Sequence, residues 1–318
     1  MKQKKENRVA LLLHWAGEQK IWLFLAIFLS AVSGLCIIVP YIGIYRLMDA
    51  TFNHTCTQEL VVHTVVMIAV AVTLRFALFG CSGVAAHKGA YGALFKVRCM
   101  VAEHMARAPL GGLNERRTGD IKTVLNEDIE KLELFLAHNL PDLVCYLVGP
   151  VVIFIYLMTV NIPLALISLV PLILAVVVMG MMFRNTDDLM ERANHSITTL
   201  NSVMIEYISG MKLIKAYNME NAMWNETSRR MGPPYAAFVV IIECGMLMMV
   251  PIGGMFFLKG SLAASTLLLF LYVGSMYLTE IRPLQELGTN FANVLNAITK
   301  TKEILDIPIY EGGADFPQ

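Results

Sequence analysis

Charge is scarce in this chain of 318 residues: Asp, Glu, Lys and Arg together make up 16%, where a soluble domain carries about 25%. No Gly-Lys dipeptide occurs, so these residues hold no G-x-x-x-x-G-K-[ST] loop to cradle phosphates. The six cysteines (Cys36, Cys56, Cys81, Cys99, Cys145, Cys244) form no C-x-x-C pair and have no histidine at metal spacing, which excludes a zinc site and a disulfide framework. Five of them fall in apolar helical segments and Cys56 alone is expected outside the membrane. Neither sign of charge dominates, with 25 basic and 25 acidic residues, so no nucleic-acid partner is expected. No catalytic residues and no metal ligands are identified.

Apolar residues are abundant at 56%. They gather in Ile21–Tyr45, Val61–Ala86, Leu143–Val160, Pro163–Phe183, Ala236–Leu258 and Leu262–Leu278, each near the roughly 20 residues that cross a bilayer. A soluble enzyme and a disordered chain are both excluded. The basic residues cluster before the first run, between the second and third, between the fourth and fifth, and after the sixth. The positive-inside bias therefore puts both termini in the cytoplasm, with six crossings of the cell membrane. The basic start resembles a signal peptide, but the apolar stretch continues to Tyr45, which favours a retained first span.

The connections are asymmetric. Outside loops are short, whereas 55 residues (Lys88–Asp142) and about 50 residues (Arg184–Tyr235) separate the spans on the inner side. Apolar and charged residues repeat there at helical spacing with few Gly or Pro, so helices two to five are predicted to continue inward as two tall hairpins. Arg8–Gly17 mixes Val9, Leu12, Leu13 and Trp15 with Arg8 and His14, the pattern of a helix lying in the interface.

The first hairpin tip reads Ala108-Pro-Leu-Gly-Gly-Leu-Asn-Glu-Arg-Arg-Thr-Gly-Asp120, followed by Asn126-Glu-Asp128 and Glu130. It resembles the ABC exporter-type transmembrane domain, in which Pro-Leu, a coupling helix, Thr-Gly-Asp and Asn-Asp-x-Glu recur in order. Glu127 is an insertion in the last of these. The second tip, Glu206 to Glu220, is similar to that family's Glu-x-x-x-Gly-x-x-x-Ile-Lys stretch. Arg282-Pro-Leu-Gln-Glu-Leu-Gly288 through Pro308 resembles its sixth helix and the following linker. Asp128-Ile-Glu-Lys-Leu-Glu133 and Phe135-Leu-Ala-His-Asn-Leu-Pro141 resemble the iron–siderophore subgroup (yersiniabactin and mycobactin importers), as a mark of kinship.

The resemblance implies an all-α membrane protein over 1–309: an interfacial elbow at 1–19, then spans at about 20–48, 60–108, 118–159, 163–211, 221–258 and 262–305. Residues 310–318 would open the linker to a nucleotide-binding domain. That domain would carry ATP and Mg, either fused downstream, as the tail favours, or as a separate polypeptide; no ATPase activity is expected of this chain alone. The implied partners are that domain, a second transmembrane half (identical or different) and the lipid bilayer. The implied coupling residues are Leu113, Glu115, Arg116 and Arg117 at the first tip, and Tyr217, Asn218 and Glu220 at the second. The implied activity is ATP-driven alternating access, with an iron–siderophore or related amphipathic cargo. A multidrug, lipid or peptide exporter half is the alternative. A receptor would need longer outside loops, and a secondary transporter would leave the hairpins without a purpose.

Ionisable residues at membrane depth are the remaining candidates: Arg75, Glu243 and Glu280, because such groups are costly in lipid unless they face a cavity or a partner. Arg75 and Glu243 fall at similar depths, roughly 21 and 22 Å from the outer ends of their helices by helical rise. They can pair across two halves or line the path, and Glu280 stands between cavity lining and pairing. Arg282 and Glu286 can pair along one helix, next to a kink expected at Pro283. The small residues from Gly80 to Gly92 predict either a helix-packing face or a hinge.

Overall fold

The computed structural model describes residues 8–109, 118–184 and 220–309. Among the described residues there is helix throughout and no strand. The chain reads α1 (Arg8–Ala16), α2 (Lys20–Leu35), α3 (Ile38–Phe52), α4 (Gln58–Arg107), α5 (Thr118–Thr123), α6 (Ile129–Leu134), α7 (Leu140–Val160), α8 (Ile162–Ser168), α9 (Val170–Arg184), α10 (Glu220–Glu243), α11 (Gly245–Leu258), α12 (Ala264–Met276) and α13 (Pro283–Leu305). This is an all-α multi-pass membrane protein. Among the described residues, five helical stretches are long and apolar enough to cross: Arg8–Phe52, Gln58–Arg107, Ile121–Val160, Gly232–Leu258 and Ala264–Ile281. Ile162–Val178 is a shorter apolar helix where the fourth span is expected, and the rest of that span, 185–211, lies outside the described residues.

Helix α4 shows how local chemistry sets the ends of an element. Thr57 is extended and its hydroxyl accepts from the Leu60 amide at 3.2 Å, capping one of the orphan donors of the first turn. Fifty residues later Ala108 is extended again, because Pro109 disfavours helical geometry in the residue before it. At 1.5 Å per residue the helix runs about 75 Å, more than twice the hydrocarbon core. Pro40 acts differently. Lacking an N–H, it cannot donate to the Cys36 carbonyl, and the chain slips into shorter-range bonds at Cys36 and Ile37, separating α2 from α3.

The helix leading into α7 is interrupted by two π-turns, Val124–Asp128 and Phe135–Asn139. In each, an amide reaches back five residues: Ile129 N–H to Val124 O and Leu140 N–H to Phe135 O. Such a ring encloses one residue more than an α-turn. The first π-turn contains Glu127, the residue inserted into the Asn-Asp-x-Glu pattern. The second directly precedes Pro141, whose missing donor and ring clash with the Ala137 carbonyl are accommodated by the wider turn.

The described chain divides into two compact units. The first comprises Met1–Tyr156 with Glu280–Gln318, and the second Leu157–Thr279. In the first unit, Leu12, Trp15 and Ala16 of α1 share a core with Val97 and Val101 of α4, Leu132 and Leu136 of the third span, and Val294, Ile298 and Ile304 of α13. Helix α2 is tied to its neighbours by serines. Ser30 donates to Pro141 O at 2.6 Å, Ser33 to Arg75 O at 3.0 Å, and Ser82 of α4 returns a bond to Ala26 O at 2.7 Å. Hydroxyl bonds of this kind join helices where lipid offers no hydrophobic drive.

The second unit is held in the same way. Asn161 caps α8 by accepting from Leu164 N at 3.1 Å. The Ser168 hydroxyl stands 3.1 Å from the Tyr277 hydroxyl. Gly245 lets α11 approach the Ser275 backbone so closely that a β-carbon there would lie 3.0 Å from its carbonyl oxygen.

Candidate functional site

Polar residues of α4 come together with those of the second π-turn and the start of α7. The His87 ring of α4 stands edge-on to His138 of the second π-turn, with centroids 4.7 Å apart. Tyr91, one turn further along α4, is 5.5 Å from His87. Toward the membrane interior, Asp142 interacts electrostatically with His138. Deeper still, the Arg75 guanidinium lies in electrostatic range of the Cys145 thiol, as do Asp142 and Glu280.

The spacing explains why a long cation sits at Arg75. His87 and Arg75 are twelve residues apart on α4, about 18 Å, whereas His138 and Cys145 are seven apart on the facing helix, about 10 Å. A cation on a long stem can span that difference.

The seam has unmet polar capacity. Asn139 is 6% exposed, and both its Nδ2 and the Nδ1 of His87 are buried without a hydrogen-bond partner among the described residues. A guanidinium carries five N–H donors and a thiol is a weak acceptor, so Arg75 has donors to spare for an anionic group. The arrangement suits recognition of a polar or charged guest rather than bond-breaking chemistry. Among the described residues no group of His, Cys, Asp and Glu could hold a metal ion.

Of the candidate path residues, Arg75 and Glu280 belong to the first unit and are half-buried, and both lie near Cys145. Glu280 sits in a tight 3-10 turn, Tyr277–Ile281, directly before Pro283 opens α13, so the break falls where the proline was expected to put one. Glu243 is exposed in the second unit, at the end of α10 where Cys244 separates it from α11. Glu243 and Arg282 both have partners; the Glu286 side chain lies outside the described residues. So do the coupling candidates Leu113, Glu115, Arg116, Arg117, Tyr217 and Asn218, while Glu220 is the first residue of α10.

Sequence reasoning missed Asp142 and Cys145, which look like boundary and core residues, and treated His138 as a kinship mark. The usable signal was a histidine on each of two helices consecutive in the chain, His87 and His138.

The family description ABC transporter transmembrane region matches residues 23–230. This chain belongs to that family. It is 23% identical over 233 residues to YfiC, an uncharacterised ABC transporter ATP-binding protein of Bacillus subtilis strain 168, a stretch covering 68% of this chain and 38% of the relative. It is 26% identical over 136 residues to the mycobactin import ATP-binding/permease protein IrtA of Mycolicibacterium smegmatis, covering 43% of this chain and 16% of the relative. An uncharacterised ABC transporter ATP-binding protein of Haemophilus influenzae is 30% identical over 135 residues, covering 41% and 23%. The chain spans well under half the length of these relatives.

Proposed function

We propose that this chain is the membrane half of an ATP-driven transporter that works as a pair of such halves. It would lie in the cell membrane with both termini cytoplasmic and carry an iron–siderophore complex or a related amphipathic anion. The observation that carries the cargo reading is the likeness to a mycobactin importer, joined to a half-buried guanidinium at membrane depth near a thiol. Arg75 would attract the acidic part of the cargo, and the apolar helix faces would accept its tail. ATP with Mg, bound by a nucleotide-binding domain, would supply the force for alternating access. The tips around Leu113, Glu115, Arg116, Arg117 and around Tyr217, Asn218, Glu220 would receive that force through an apolar anchor with polar flanks.

The test is ATP-dependent movement of an iron-loaded, mycobactin-type chelate in vesicles holding this domain together with its nucleotide-binding domain. Saturable movement that falls about tenfold or more in Arg75→Ala, the loss expected for a charged contact made in binding, supports the reading. Transport of a cationic dye with none of the chelate replaces it by the multidrug exporter reading. Leu113→Ala or Tyr217→Ala should leave expression intact and abolish cargo stimulation of ATP hydrolysis.

A further inference from the structure

At the inner end of α4, Lys88, Gly92 and Lys96 recur every four residues and so form one file along the helix. Each faces one residue of the corner between α1 and α2. Lys88 Nζ stands 3.7 Å from the centroid of the Trp22 ring. Gly92 lies against Gln19, where a β-carbon would come within 2.5 Å of Gln19 Cδ. Lys96 Nζ covers the bare Cα of Gly17, a residue at φ +58°. The result is a notch with a neutral polar floor, Gln19 and the Gly17 backbone, and an ammonium group at each end. The two lysines are eight residues apart, about 12 Å along α4.

The notch is rich in uncommitted charge. Lys88, Lys96 and Lys20 are all exposed. Lys88 engages an aromatic face, and neither Lys20 nor Lys96 has a hydrogen-bond or ion-pair partner among the described residues. Glu18 is exposed on the same corner and is likewise unpaired among the described residues. Large apolar side chains flank the notch: Ile21 and Phe24 on α2 are 67% and 55% exposed, and Tyr91 and Phe95 on α4 are 56% and 71% exposed. A free phosphate would meet only the charges. A phospholipid would meet the charges with its headgroup and the apolar flanks with its acyl chains, and aromatic residues mark the depth where the two parts join.

We propose that this notch binds the headgroup phosphate of an anionic phospholipid, bracketed by Lys88 and Lys96 above Gln19. Basic pockets between membrane helices are suited to such headgroups. The bound lipid would pin the elbow to α4. Assignment to the cytoplasmic leaflet rests on the topology proposed above; the phosphate site does not.

The test uses the full chain in uncharged detergent. Phosphatidylglycerol or phosphatidylcholine, each brominated near the headgroup, is titrated in while tryptophan fluorescence is followed. Phosphatidylglycerol should quench at the lower concentration, with about a fivefold loss of that preference for each lysine neutralised. Lys96→Gln is the first variant because Lys96 anchors no aromatic ring. Lys88→Gln/Lys96→Gln should abolish the preference and Lys88→Arg/Lys96→Arg should keep it. Equal quenching by the two lipids, or an unchanged preference in Lys96→Gln, overturns the proposal. Competition by glycerol phosphate at the lipid's own concentration would instead assign the notch to a soluble phosphoryl ligand. Labelling of Arg8→Cys from either face of sealed vesicles reads the topology separately, so a wrong leaflet and an absent site are told apart.

Discussion

Lys300, on the last helix, holds the Oδ2 of Asp128 at 3.3 Å. Lys131 holds the other carboxylate oxygen at 2.7 Å. Asp128 is 2% exposed while both lysines remain about half exposed. The carboxylate is therefore the desolvated member, and its partners tie the first π-turn to α13. Asp128→Ala strands the lysines at a surface but removes a charge-assisted bond, a loss of about 1–3 kcal/mol. Lys300→Met leaves Lys131 in place and should cost less than about 1 kcal/mol. Thermal unfolding in detergent checks the order of the two; equal effects would mean that Lys300, not Lys131, carries the carboxylate's stabilisation.

The thiols report topology. Cys56 is exposed in the short connection between α3 and α4, whereas Cys81, Cys99 and Cys145 lie within helices and Cys36 and Cys244 at the turns between apolar helices. With both termini cytoplasmic, a membrane-impermeant maleimide should label Cys56 on intact cells and label nothing in Cys56→Ser. Labelling of Cys56 only after permeabilisation would invert the proposed orientation.

The class of fold could be read from composition alone, because runs of apolar residues near twenty long leave few architectures open. The inner-side extension of α4 followed from helical periodicity running past the membrane to Pro109. The π-turns were not legible as such. Glu127 stood out only as an extra residue in a pattern, and an extra residue can equally become a loop. The seam partners of Arg75 were hidden for another reason. Depth along a helix follows from counting residues, and that count says only that Arg75 and Glu243 fall at similar depths. Which face a side chain takes, and how far a guanidinium reaches along its own helix, depend on packing that single-helix arithmetic omits. The notch at Gly17 was hidden because three unremarkable residues on each of two elements align only once both are placed.

The glycines of α4 separate packing from open surface. A β-carbon at Gly89 would stand 2.9 Å from Leu23 Cδ2 and 3.1 Å from Trp22 Cβ, whereas at Gly80 and Gly83 it would meet nothing within 4 Å. The inner part of the small-residue run is thus a contact face for α2. Gly89→Val should destabilise by about 1–3 kcal/mol through overpacking. Gly80→Ala should be neutral or slightly stabilising, since alanine is the better helix former. Unfolding temperatures of the two variants decide it. If Gly80→Ala proves the more harmful, that glycine serves a second copy or a moving helix instead.

The last prediction concerns Arg75, whose guanidinium lies in electrostatic range of Cys145 and whose own carbonyl accepts from Ser33 at 3.0 Å. Two interactions on two different helices fix this residue, one through the side chain and one through the backbone. Substitution removes only the first, so α2 and α4 should stay joined through Ser33 in Arg75→Gln. Folding should survive while the cation is lost. Cys145→Ser keeps an acceptor of similar size and should preserve cargo binding, whereas Cys145→Leu takes the acceptor away and fills its space. A guanidinium displaced in that way should weaken binding nearly as much as Arg75→Gln does. If Arg75 acts on the cargo and not by pairing with Glu243, combining Arg75→Glu with Glu243→Arg should not restore the function lost in Arg75→Glu. Cargo binding measured on the four variants, with helicity and oligomeric mass as controls, separates the roles. Rescue by the double swap would replace the seam with an Arg75–Glu243 pair. Intact binding in both Arg75→Gln and Cys145→Leu would remove Arg75 from the path altogether.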